Sequence, residues 1–269
     1  MRTSLGHAEL DRVLVRGHDL TGDLLGRISF GEMTGLILLG RRPSADEGRM
    51  IDALLVVLVE HGLVKPVVVA RFVYSNAPES LQAAVAASLM GAGSRHLGSS
   101  EWAARLLQEA VPPAVAAADT SDEAIEKAAL AIVDAHAGPR TRIAGIGHRT
   151  HAGGDPRAVR LFEIARDTGT YGTYCRLLER VATLAGERRG RPLPVNVTGA
   201  IAAIASDMGF RWEITRGFAL IARTLGSLGH LQEEMAEPLS DELIRGIAAS
   251  VPYEPDAALG VPDAEAEEG

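Results

Sequence analysis

The chain has 269 residues, 46% of them hydrophobic and 23% charged: room for one large domain or two small ones, and too apolar for a disordered or fibrous protein. A net charge of −8 and a pI near 5.5 argue against a nucleic-acid binder that depends on phosphate neutralisation. The single cysteine, Cys175, excludes an intrachain disulfide and a Cys-cluster metal site and fits a reducing cytoplasm. The start, MRTSLGHAELDR, lacks the apolar stretch of a secretion signal, and no apolar run approaches the roughly 20 residues of a membrane span.

Helix signals dominate. Ser44-Ala45-Asp46-Glu47 has a capping-box pattern, followed by Met50, Ile51, Leu54, Leu55 and Leu58 at helical spacing. Val64–Val73 is β-branched and reads locally as a strand, as does Arg12–Val15. Pro78 and Glu79 open an Ala-rich helix to Met90, closed by Gly91 and Gly93. Ser99 or Ser100 caps Glu101–Ala110, and Thr120-Ser121-Asp122-Glu123 starts a helix to about Ala137. Asp155-Pro156 is an N-cap with Pro at the first helical position, and that helix reaches Thr168. Tyr171–Ala185 follows, then Thr198–Met208 with Thr198 as its cap and Gly209 as its stop. Glu213–Met235 is long and apolar on several faces, and Ser240–Ala249 is the last helix before an acidic tail, 254–269, with the composition of a mobile segment. Two short strand-like segments do not make a βαβ alternation, so the fold class is all-α.

Histidines beside glycines carry the chemical signal: Glu60-His61-Gly62, the loop Gly93–Gly98 around His96, Gly145-Ile146-Gly147-His148-Arg149, and Gly229-His230. Glycine lets backbone approach a ligand, and a loop imidazole titrates near neutrality. Taken singly, such histidines can equally cap helices or face water. Arg157, in the first turn after Asp155-Pro156, stands where an anion is favoured, or it pairs with Asp155 or Glu163. Arg223 lies among Leu220, Ile221, Ala222, Leu225 and Leu228, and a buried arginine needs an anion from a ligand or from the protein.

Together these stretches resemble the citrate synthase superfamily, above all its short citryl-CoA lyases and the lyase module of ATP-citrate lyase. The matching pieces are Arg16–Leu20, Ile28–Glu32, Glu60–Gly62, Gly93–Gly98, Gly145–His148, Asp155–Arg157, Asn196–Gly199 and Ala222–Gly226, in family order. The resemblance implies an all-α cytoplasmic homodimer. A large domain would comprise 1–98 and 209–269, a small mobile domain 99–208, and 64–73 would be helical. It implies carbon–carbon cleavage or formation beside a coenzyme A thioester, acetyl-CoA and oxaloacetate being the reference pair. The thioester is a substrate and no cofactor is permanently bound; the other partner is a small carboxylic acid, with no metal, nucleic acid or membrane. His96 would then stabilise the thioester enol oxygen, His148 would polarise the keto group, and His61, Arg157 and Arg223 would hold carboxylates. Gly145, Ile146 and Gly147 would contact the coenzyme.

Two departures stand out. The family's general base is an aspartate in Asn-Val-Asp, and here that position is Thr198, whose hydroxyl cannot take a carbon-bound proton near neutrality. Losing a positioned base costs about 10²–10⁴ in rate. Glu60 is the best-placed substitute, Asp207 being too far along its helix. The arginine that citrate synthases bring from the second subunit has no counterpart nearer than Arg245, so the substrate can carry fewer carboxylates than citrate. These departures leave open a non-catalytic subunit that binds CoA esters or dicarboxylates.

Overall fold

The computed structural model describes residues 1–93, 97–118, 121–138, 141–147 and 154–254. Its only sheet among these is a small antiparallel one, β1 (Gly6–Ala8), β2 (Val13–Val15) and β3 (His18–Asp19), with Gly6 opposite Val15 and Leu14 opposite Asp19. Arg16 and Gly17, at φ 50° and 83°, make the two-residue turn between β2 and β3, the conformation that matches hairpin twist. Arg16 Nη2 donates to the Ile37 carbonyl (2.9 Å) and docks the hairpin on the first helix.

The rest is helical. Ser29 and Ser44 each close a reciprocal capping box, with Glu32 and Glu47, at the starts of α1 (Phe30–Leu39) and α2 (Ala45–Val56). Segment 64–73 forms most of α3 (Lys65–Asn76) and not a strand. An extended Val64 and Pro66 in the first turn start it, and Pro66, Val67, Ala70 and Arg71 are buried at helical spacing, so packing overrides local β propensity. α4 runs Leu81–Met90, three residues later than Pro78 suggested, and α5 covers Ser99–Ala110 without a side-chain cap. A short α6 (Pro113–Ala118) was not foreseen, and α7 is Asp122–Ala135, capped by Ser121. α8 (Pro156–Asp167) begins at the expected Asp155 cap.

Helix α9 spans Thr173–Arg189, shifted from the expected 171–185 because its cap comes from a distant residue. Asp207 accepts from the backbone N–H of Gly172 (2.9 Å), Tyr174 (2.8 Å) and Cys175 (3.0 Å). Burial nonetheless raises that carboxyl above its ordinary range, against the Cys175 and backbone donors. α10 (Val197–Asp207) is the hub: Gly199 through Ser206 are all buried, and α5, α8 and α9 pack around it. α11 (Trp212–Ala236) and α12 (Ser240–Ser250) complete the chain. One core runs from Met50 and Leu54 through Leu107 and Phe162 to Ile201 and Phe218. Past Glu254 the expected tail lies outside the described residues. No helix among them is long and apolar enough to cross a membrane.

Candidate active site

The centre of the site is a clamp between two backbone segments. Ile146 and Val195 form an antiparallel bridge, Gly147 N–H donates to the Pro194 carbonyl (2.7 Å), and Asn196 N–H donates to the Gly145 carbonyl (3.0 Å). Gly145 and Gly147 lie at φ 90° and 76°. A Cβ on Gly199 would stand 2.2 Å from the Gly145 oxygen, so this approach is open only to glycine. The clamp lines a cleft of about 570 Å³ with Thr198, Arg142, Arg189 and Arg191. Arg189 is committed to the Thr141 carbonyl (2.6 Å).

Thr198 is not the cap of α10. Asn196 is: it is extended, and its Oδ1 accepts from Gly199 N–H (3.0 Å). Thr198 is the second helical residue, and its hydroxyl donates to the same Oδ1 (2.8 Å). With that proton committed, the hydroxyl can accept hydrogen bonds from a ligand but is no carboxylate.

Asp155 joins this clamp to the arginines. Fully buried, it caps α8, grips Arg157 through Nε and Nη2 (3.0 Å each), and accepts from Val197 N–H (2.9 Å) at the start of α10. Burial opposes the charge, but Arg157 and the Val197 N–H outweigh it and hold the carboxyl below its usual range. Arg157 is thus paired within the protein, one of the two alternatives its position allowed. Its Nη1 edge takes no part in that pair.

Arg223 is the opposite case. Among the described residues, four arginines have a buried Nε outside hydrogen-bond geometry: Arg16, Arg71, Arg216 and Arg223, although Arg216 keeps an ion pair through it. Arg16 reaches Ile37, Arg71 binds Glu233 and Glu234, and Arg216 lies against Glu101 (2.7 Å). Arg223, 8% exposed, forms no ion pair among the described residues. Burial lowers its proton affinity, the nearby Glu60 charge works the other way, and the Arg157 charge adds to the lowering. Both sequence-nominated arginines and Glu60 therefore share one electrostatic neighbourhood.

Glu60 and His61 are both exposed, and Glu60 lines a separate hollow with Gly226 and His230. Glu60 Oε1 accepts from the N–H of His61 (2.8 Å) and of Gly62, and its carboxylate meets His230 Nε2 at 3.1 Å. Burial would raise this carboxyl, but His230 and the two N–H groups prevail and hold it low. Glu60 is thereby a turn-forming carboxylate whose basicity is reduced, which argues against it as the substitute base. Gly226 brings α11 against this turn, since a Cβ there would lie 2.1 Å from the Val59 carbonyl.

His96 and His148 lie outside the described residues. Of the others, Gly145, Ile146, Gly147 and Thr198 line one cleft, Asp155 ties Arg157 to the helix start that bears Thr198, and charge couples Arg157 to Arg223 beside the Glu60–His61 turn. Arg142, Arg191 and the linking role of Asp155 were not singled out from sequence; an arginine just before Ile143-Ala144-Gly145 and another just after Gly190 were the available signals. Among the described residues no three His, Cys, Asp or Glu side chains group as metal ligands.

The family described as "Citrate synthase, C-terminal domain" matches residues 16–246. The citryl-CoA lyase of Hydrogenobacter thermophilus superposes with a TM-score of 0.79 at 35% identity, over 97% of this chain and 99% of that one. The ATP citrate lyase of Methanothrix soehngenii, solved with citrate and coenzyme A, gives 0.71 at 20% identity over all of this chain and 43% of that one, a likeness of fold. The citrate synthase of Pyrobaculum aerophilum gives 0.59 at 26% identity over 78% and 51%. No curated protein sequence matches the chain.

Proposed function

We propose that this chain, which belongs to the citrate synthase family, is a coenzyme A-dependent carbon–carbon lyase or synthase working on a citryl-CoA-like thioester. The observation that carries the reading is Arg223: a buried guanidinium with no partner among the described residues, within the electrostatic reach of Arg157 and Glu60. A buried cation is costly unless an anion completes it, and a substrate carboxylate has the geometry for a guanidinium fork. The end-to-end likeness to a citryl-CoA lyase supports the same chemistry.

In cleavage, Arg223, the Nη1 edge of Arg157 and His61 hold the carboxylates of the adduct. His148 removes the hydroxyl proton, and the alkoxide collapses to a keto group as the carbon–carbon bond breaks. The bonding pair moves onto the thioester as an enolate, whose oxygen His96 stabilises by hydrogen bonding. The proton that His148 took from the hydroxyl passes to the enolate carbon, which gives acetyl-CoA and returns the imidazole to its neutral form. Thr198, its hydroxyl proton donated to Asn196, moves no proton. Arg142 and Arg191 take the coenzyme phosphates beside Gly145–Gly147. The bodies 1–98 with 209–269 and 99–208 close over the substrates to exclude water, and the protein works as a cytoplasmic homodimer.

Incubation with acetyl-CoA in D₂O, with and without oxaloacetate, tests this reading. Deuterium entry into the methyl group, or formation of citrate or citryl-CoA, is the expected result. Absence of both, with CoA and citrate shown to bind, rejects these substrates. Thr198, a hydroxyl where proton transfer calls for a base, favours a second reading as a binding subunit. A Thr198→Asp variant separates the two: activity gained from an inert wild type indicates a binding site lacking only its base, whereas turnover by the wild type excludes that subunit role.

A further inference from the structure

Glu60 raises a physical question. It is an exposed carboxylate against α11, where a Cβ on Gly226, one turn from Arg223, would lie 3.4 Å from its Oε2; Arg223 is a buried guanidinium with no partner among the described residues, yet the two form no ion pair. An intramolecular pair at that point would occupy the cation that the proposed substrate needs.

The restraint comes from the far side. Arg71 of α3, 2% exposed, binds Glu234 (2.9 Å) and Glu233 (2.6 Å) of α11, and its Nη2 also lies 3.0 Å from His230 Nδ1. A guanidinium has donors only, so Nδ1 must accept, and the imidazole hydrogen is fixed on Nε2. That nitrogen faces the Glu60 carboxylate at 3.1 Å. His230 is 11% exposed in its side chain and sits one turn beyond Gly226, the residue that lets α11 abut the Val59–Glu60 backbone.

We infer that His230, oriented by Arg71, is a positioning residue that holds Glu60 on the His61–Gly62 turn and keeps it off Arg223, leaving that guanidinium for a ligand carboxylate. The substrate part rests on the reading of Arg223 as the carboxylate-binding residue. The restraint of Glu60 does not. His230 touches no substrate; it acts through Glu60, and the effect is on anion affinity more than on the chemical step.

The test is epistatic. Citrate is the probe, and its dissociation constant is measured calorimetrically for the wild type, His230→Ala, His230→Gln and His230→Ala combined with Glu60→Gln. Removing the imidazole frees Glu60 to pair with Arg223 and weakens citrate binding by about tenfold or more, ~1.4 kcal/mol per tenfold. Replacing the freed carboxylate by an amide restores affinity to near the wild-type value, a rescue that loss of packing would not give. His230→Gln, which keeps a donor toward Glu60, retains near wild-type affinity and guards against a misfolded alanine variant. Weakened binding that the second substitution leaves unrescued overturns the inference. A crystal structure of ligand-free His230→Ala reads the restraint alone: Glu60 on Arg223 supports it, and Glu60 still on the turn refutes it. If the wild type itself fails to bind citrate, the carboxylate reading of Arg223 falls, while the crystal structure still decides the role of His230.

Discussion

Helix α11 carries two charged neighbourhoods that solve the same problem in opposite ways. Near its C-terminal end, Arg71 from α3 is buried with Glu234, Glu233 and His230 around it. Two turns earlier, Arg223 is buried to a similar degree with no acceptor among the described residues. Desolvating a guanidinium costs several kcal/mol in either place. At Arg71 the fold supplies the compensation, so that region is architecture. At Arg223 no described residue does, and the proposed ligand carboxylate would supply it.

The contrast can be broken most strongly at the compensated end. Arg71→Ala leaves Glu234 buried and unpaired and should lower unfolding free energy by about 3–5 kcal/mol, measured by urea denaturation. A loss below about 1 kcal/mol would put Arg71 among the weak surface pairs. Glu234 gives the pH signature. Burial would raise its carboxyl, but Ser240, the N–H of Leu239 and Arg71 bring it from an ordinary 4.5 down to about 2. A depressed carboxyl stabilises the fold fully above 4.5 and loses that contribution as the pH falls through about 2. Glu234→Gln should therefore cost roughly 3 kcal/mol near neutrality, and the gap to wild type should narrow as the pH falls from 4.5 to about 2. A gap that does not change with pH would detach the effect from the carboxylate charge.

Two glycines one turn apart sharpen the comparison further. A Cβ at Gly226 meets the Val59 carbonyl at 2.1 Å, whereas at Gly229 nothing lies within 4 Å. Gly226→Ala should cost about 1–3 kcal/mol by forcing α11 off the Glu60 turn. Gly229→Ala should gain about 0.5–1 kcal/mol through helix propensity. Thermal unfolding of the pair checks both signs.

Much of this was legible in the sequence where the signal is local. The Ser44 capping box, the Asp155-Pro156 start and the apolar length of α11 need only their own neighbours. The segment 64–73 was not legible by propensity, because burial against α4 and α11 decides it, and only family resemblance made it helical. The start of α9 was misplaced because its cap, Asp207, lies more than thirty residues away. Asn196, not Thr198, caps α10, since both residue types suit a cap and only geometry separates them. At the site, the residue types were readable and the pairings were not. The sequence leaves both possibilities open for each arginine, and only the structure shows Arg157 held by Asp155 and Arg223 without a partner among the described residues.

The most direct test is denaturation of wild type and Arg223→Met, each with and without citrate and coenzyme A. Removing an uncompensated buried charge should leave intrinsic stability unchanged or raise it by about 1–2 kcal/mol. Stabilisation by citrate should disappear, while that by coenzyme A persists. A variant that unfolds as readily as Arg71→Ala yet is still stabilised by citrate would contradict the account.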